Sequence, residues 1–148
     1  MKEIRRSVSC VIFNPEGKIL VLEHKKCLGK LQLPAGTVEE AELKSTSQTA
    51  VREMKEELGI DIDVRHLILL KRGYAYYPRI DGHQIYLEDT YRVLAYSGVI
   101  ENKEPHKHPN LHWMTPQELF ESPEKCTYNT WLMAAKILQH RDKLERSF

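Results

Sequence analysis

Arg52-Glu53-Met54-Lys55-Glu56-Glu57-Leu58-Gly59-Ile60 is the stretch from which the rest of the chain is most readily interpreted. Read as a helix ended by Gly59, it puts Glu53 on the same face as Glu56 and Glu57, three and four positions later. Three carboxylates gathered in this way repel one another, and the repulsion grows wherever the site is shielded from water. A hard dication converts the repulsion into coordination. Magnesium selects oxygen ligands and shares its coordination sphere with substrate phosphates, so the pattern points to a phosphate-bearing substrate. Arg52 is placed to brace a glutamate through a bidentate pair. With charged residues near 6% each and glycine near 7%, this nine-residue pattern arises by chance about once in 10⁷ start positions.

Working outward, Ser45 or Ser47 is the expected cap of this helix, preceded by an acidic loop from Thr37 to about Lys44. A short strand, Lys30 to Leu33, leads into Pro34-Ala35-Gly36. Farther upstream, Val8 to Phe13 and Lys18 to His24 read as strands of a hairpin about the turn Asn14-Pro15-Glu16-Gly17. Ile19 to Leu22 is too continuously apolar for one face to lie in water. Downstream, strand character spans Ile60 to Lys71 and His83 to Tyr96, with a loop at Tyr76 to Gly82 between them, and the two form a long antiparallel pair. Glu101 to Asn110 reads as an exposed polar loop before a short strand, Leu111 to Met114. Thr115 caps a short helix that has Pro116 in its first turn. The closing helix, about Tyr128 to Leu144, directs Trp131, Leu132, Ala135, Ile137 and Leu138 to the core.

Composition sets wider bounds. A chain of 148 residues, 41% hydrophobic and 29% charged, suits a single globular domain over 1–148. Twenty-two basic and 21 acidic residues leave a formal charge of +1, so no net field draws the protein to duplex nucleic acid or an anionic membrane. Cys10, Cys27 and Cys126 form no CxxC pair and fit reduced packing residues of a cytoplasmic protein. No segment has a signal peptide's apolar region or the roughly 20 apolar residues that cross a bilayer. Internal repeats and interdomain linkers are absent from the sequence.

The central stretch resembles the signature of the Nudix hydrolases: Gly, five residues, Glu, seven residues, then Arg-Glu-apolar-any-Glu-Glu-any-Gly-apolar. Gly36 and Glu42 match its first half and Arg52 to Ile60 its second, but nine residues separate Glu42 from Arg52 where the family usually has seven. The two extra residues fall in the loop between Leu43 and Thr46, where added length costs little. The resemblance implies an α/β/α sandwich with a mixed β-sheet. It also implies that Glu53, Glu56, Glu57 and the Ala35 carbonyl hold Mg²⁺, with Mn²⁺ as a substitute, that Arg52 orients the glutamates, and that a nucleoside diphosphate derivative is hydrolysed.

Residues outside this signature distinguish the family's branches. The short chain with a closing helix is similar to the MutT-like branch, which converts nucleoside triphosphates to monophosphate and pyrophosphate, and Asn129 sits where that branch often reads a base. Pro34-Ala35-Gly36 and the cluster Tyr76-Tyr77-Pro78 look instead like ADP-ribose and dinucleoside polyphosphate hydrolases, with Tyr77 a candidate to stack on a base. A non-catalytic nucleotide-binding regulator is a third possibility, although such modules usually lose the glutamates. His106, His108 and His112 read as solvated loop residues. Glu88, Glu101 and Glu104 are candidate additional ligands or bases, with Glu101 favoured. The implied partner is a small-molecule nucleotide, bound by a monomer or homodimer.

Overall fold

The computed structural model describes residues 4–80 and 82–146. Seven strands and three helices follow one another as β1 (Arg5–Ile12), β2 (Ile19–His24), β3 (Lys30–Gln32), β4 (Ala35–Thr37), α1 (Thr46–Leu58), β5 (Leu67–Arg79), β6 (Gly82–Val93), β7 (Leu111–Met114), α2 (Pro116–Phe120) and α3 (Tyr128–Arg146). They build a mixed four-stranded sheet in the order β4-β1-β6-β5, and a three-stranded antiparallel sheet in the order β3-β2-β7. The parallel contact is β1 with β6, in register from Arg5↔Tyr86 to Ile12↔Val93.

Side-chain alternation along β1 separates the two helical layers. Val8, Cys10 and Ile12 pack with Ala50, Met54 and Leu58 of α1, whereas Val11 joins Met133 and Ala134 of α3. On β2 the same alternation sends Leu20 to the α1 side and Ile19 and Val21 to the α3 side. Both strands are therefore buried on both faces, as their continuous apolar runs require. Over 128–141 of α3 the buried residues are Asn129, Thr130, Met133 and Ala134, with Ile137 partly buried, so its core face is rotated from the expected one and Leu132 and Ala135 flank it.

Local sequence explains several element ends. Gly59 closes α1 at φ 73°, with its N–H on the Lys55 carbonyl at 3.0 Å. Ser45 stands at the N-cap but its hydroxyl pairs with that of Ser47 at 3.1 Å instead of a backbone N–H. Thr115 and Glu118 exchange the two bonds of a capping box at 3.0 and 3.3 Å. Cys10, Cys27 and Cys126 are all buried.

Three expectations need correction. β1 and β2 reverse about Asn14, whose side chain accepts from the Glu16 and Lys18 amides, but they share only a Phe13↔Ile19 bridge. The hydrogen-bonding edges of β1 are taken by β4 and β6 and those of β2 by β3 and β7, so no hairpin ladder forms. The segment from Ile60 starts as an irregular connection, with an isolated Asp61↔Ser97 bridge and Asp63 capping a turn at Val64–His66, and pairing with β6 begins only at Leu67. Tyr76 to Arg79 continue that strand, where Pro78 is tolerated because β5 is the sheet edge. No helix among the described residues is long and apolar enough to cross a membrane.

Candidate active site

The acidic face of α1 opens on a cleft of about 230 Å³, lined by Glu53 and Glu57 together with Ala35, Gly36, Tyr77, Glu88, Glu104 and His108. Lys26, Arg79 and Lys107 line the same cleft and supply positive charge. Strand β4 is short and runs along β1, which lays Ala35 and Gly36 beside the helix. Gly36 is there for space: a Cβ at this position would stand 2.0 Å from Glu53 Cδ.

The three glutamates differ. Glu57 is 4% exposed, and burial raises its carboxyl well above the ordinary range, reinforced by the charges of Glu53 and Glu104. Its Oε2 is buried and accepts no hydrogen bond. Burial also raises Glu53. Glu56 is the exposed member, its side chain 54% accessible and paired with Arg52 at 3.3 Å. An all-oxygen set with an orphaned buried lone pair fits a hard dication, which would restore the charged form that burial disfavours. Glu53 and Glu57 line the cleft, where their carboxylates could hold such an ion, and Glu56 stands at the rim. The Ala35 backbone hydrogen-bonds the Glu57 carboxylate.

Arg52 ties the site to the preceding loop. Its Nε and Nη2 donate to the two oxygens of Glu42 at 2.9 Å each, Nη2 also donates to the Thr37 carbonyl at 3.0 Å, and Nη1 reaches Glu53 Oε1 at 3.0 Å. The lengthened connection thus leaves Glu42 on Arg52, with Thr49 donating to it as well at 2.9 Å. The Arg52 hydrogen bonds hold the Glu42 carboxyl at about 2, below its ordinary 4.5. A carboxylate lowered in the fold adds stability above its unfolded pKa and loses it as pH falls through the folded one. Arg52→Lys keeps a charge but not the fork. In an acid titration followed by circular dichroism, we expect it to flatten the stability change between pH 4.5 and about 2. Turnover should fall by about 10- to 100-fold, as for other groups that orient metal ligands.

Of the remaining sequence candidates, Tyr77, Glu88 and Glu104 line the cleft and Asn129 and Glu101 do not. Tyr77 is buried, packs edge-on with Tyr86 and donates to Glu88 Oε1 at 2.6 Å. Asn129, 2% exposed, is neither cap nor free amide: its Nδ2 donates to Glu88 Oε2 at 2.6 Å and its Oδ1 accepts from Lys71 Nζ at 2.9 Å. Both amide ends that a base would read are engaged within the protein. Tyr76 is exposed and stacks on His83. Glu101 is exposed, paired with Lys103 at 2.8 Å, and does not line the cleft, whereas Glu104 does.

His108 is the residue that sequence reasoning misplaced. It is 4% exposed, its Nε2 lies 3.5 Å from Glu57 Oε1, and His24 packs against it edge-on at 5.0 Å. Burial lowers both imidazoles, His24 to about 4. A polar, Pro-flanked segment gives no sequence signal for such burial, which depends on the loop folding back over α1. His24, Lys26, Gln32 and Lys107 also line the cleft without any motif to mark them.

Comparison with known proteins identifies the family and the fold. The NUDIX domain family model matches residues 3–132. The CTP pyrophosphohydrolase of Escherichia coli (strain K12) is 29% identical over 119 residues, 78% of this chain and 80% of that protein. The 8-oxo-dGDP phosphatase of Danio rerio is 38% identical over 72 residues, 47% of this chain but 22% of that longer protein. Among solved structures, a MutT NUDIX hydrolase from Burkholderia pseudomallei superposes with a TM-score of 0.73 at 26% identity, over 90% of this chain and 98% of that one.

Proposed function

The chain belongs to the NUDIX domain family of nucleotide hydrolases, and we propose that it cleaves a nucleoside triphosphate to a monophosphate and pyrophosphate with Mg²⁺ held by Glu53, Glu56 and Glu57. One observation carries the proposal: buried carboxylates and the cations Lys26 and Arg79 line a single cleft. A polyphosphate brought in with a dication satisfies both, since the ion meets Glu53 and Glu57 while phosphate oxygens meet Lys26 and Arg79. Arg79 Nε is buried and donates to no acceptor, so it is ready for an anionic oxygen. Similarity to the CTP pyrophosphohydrolase over most of both chains supports the triphosphate.

Bound there, the dication would neutralise charge on the phosphates and favour ionisation of water. The protein's part is positioning. Arg52 fixes Glu53 and Glu56, Gly36 leaves room for Glu53, and the cations hold the polyphosphate against movement. Water adds to phosphorus, the anhydride P–O bond breaks, pyrophosphate leaves, and the water proton passes to solvent.

A panel of nucleoside triphosphates, 8-oxo-dGDP, ADP-ribose and dinucleoside polyphosphates, each with Mg²⁺ and with Mn²⁺, tests the reading. Triphosphates should exceed the other substrates in kcat/KM by about tenfold or more, equivalent to ~1.4 kcal/mol of barrier, and release pyrophosphate. Preference for ADP-ribose or a dinucleoside polyphosphate would transfer the assignment to that substrate. Tight nucleotide binding without turnover would make the protein a regulator.

A further inference from the structure

At one end of the cleft, Glu57, Glu104 and His108 each offer a ligand atom, and the three atoms lie within 4.8 Å of one another. Glu57 Oε2 adds a second observation, since it belongs to a side chain 4% exposed and accepts no hydrogen bond. The donors are held by backbone. The Glu101 and Lys103 amides donate to the Leu58 and Glu57 carbonyls at 3.0 and 2.9 Å, clamping the loop to the end of α1. The His108 amide donates to the Glu104 carbonyl at 3.0 Å, and the Asn102 side chain to the His108 carbonyl at 2.6 Å. His24, edge-on to the His108 ring, limits its rotation.

We propose that Glu57, Glu104 and His108 form a mixed nitrogen–oxygen site for a transition-metal dication of the Mn²⁺, Co²⁺ or Zn²⁺ class, adjoining the magnesium-binding carboxylates of α1 and sharing Glu57 with them. The inference rests on the proposed function in that shared residue alone. Imidazole is a poor ligand for magnesium, which prefers oxygen and retains its waters, and a good one for cobalt and zinc. A histidine beside two carboxylates therefore biases this end of the cleft away from magnesium. The Lys107 ammonium pairs with Glu104 at 2.9 Å, but its side chain is half exposed and its release costs little.

The test uses metal-free, nucleotide-free protein. Calorimetric titration with CoCl₂, ZnCl₂ and MgCl₂ gives affinities, and pulsed electron paramagnetic resonance of bound Mn²⁺ reads nitrogen coupling. We expect nitrogen coupling in the unsubstituted protein, lost in His108→Gln and retained in His24→Gln. Co²⁺ and Zn²⁺ affinity at this site should fall at least about tenfold in His108→Gln, while Mg²⁺ affinity changes less than about twofold, because imidazole contributes little to its coordination. Glu104→Gln should weaken Co²⁺ similarly and keep the nitrogen signal. Absence of nitrogen coupling, its loss in His24→Gln with retention in His108→Gln, or equal weakening of Mg²⁺ and Co²⁺ by His108→Gln each overturns the proposal. Should His108→Gln fail to fold, the unsubstituted protein and His24→Gln still decide. Nitrogen coupling without triphosphate hydrolysis would sink the proposed function and leave this site standing; hydrolysis without nitrogen coupling would do the reverse.

Discussion

Glu57→Gln is expected to lower turnover by about 10²–10⁴-fold, the several kcal/mol that a well-held catalytic metal supplies, yet to stabilise the metal-free protein. Both effects come from one carboxylate that is buried with an oxygen left unpartnered. Without a cation the charged form is disfavoured, so the folded pKa lies well above the ordinary 4.5. A carboxyl raised in the fold contributes stability below its unfolded pKa and loses it as pH rises through the folded one. The glutamine variant carries no such loss. In chelator its melting temperature should match that of the unsubstituted protein near pH 4 and exceed it at pH 8, by about 2–4 °C for each kcal/mol relieved. Added Mg²⁺ should then raise the melting temperature of the unsubstituted protein more than that of the variant. Glu56→Gln, at the exposed rim, should show no melting gain in chelator. Unchanged turnover in Glu57→Gln would remove this carboxylate from the chemistry.

Gly36→Ala is the second large effect, and it works through Glu53. The new Cβ would lie 2.0 Å from Glu53 Cδ and 2.2 Å from Cγ, too deep in the side chain for a simple rotation of its tip to give relief. Gly36 cannot retreat, because β4 pairs with β1 at Val8↔Gly36. Its φ is not positive, so alanine suits the backbone and the whole penalty is steric. Overpacking of this kind costs about 1–3 kcal/mol, and a displacement near 1 Å can cost about 10²-fold in rate. Turnover should fall by that factor while circular dichroism is unchanged. The double substitution Gly36→Ala/Glu53→Ala removes the collision, so its melting temperature should exceed that of Gly36→Ala although activity stays low. Full activity in Gly36→Ala would show that Glu53 need not stand where the structure puts it.

Much of the fold is legible wherever a pattern is local. The glutamate spacing and Gly59 specify α1 and its end, Thr115-Pro116-Gln117-Glu118 specifies a helix start, and continuous apolar runs specify strands covered on both faces. The errors fall where a local signal meets a distant competitor. Asn14 to Gly17 form the turn, but β4 and β6 take the edges of β1 and β3 and β7 those of β2, which diverts the two strands into different sheets. Tyr76 to Arg79 become strand because β6 is there to pair with them.

The amino-acid sequence by itself determined that three carboxylates share one helical face and that Arg52 can reach them, since helix periodicity is a property of the chain alone. Tertiary structure alone decided that Glu57 and Glu53 line the cleft while Glu56 stays at its rim, that Glu42 keeps Arg52 despite a longer connection, and that His108 and Glu104 come to rest beside Glu57. Burial and long-range contact depend on how separate elements pack. The desolvation that disfavours a buried charge, and so calls for a cation, does not exist until they have done so.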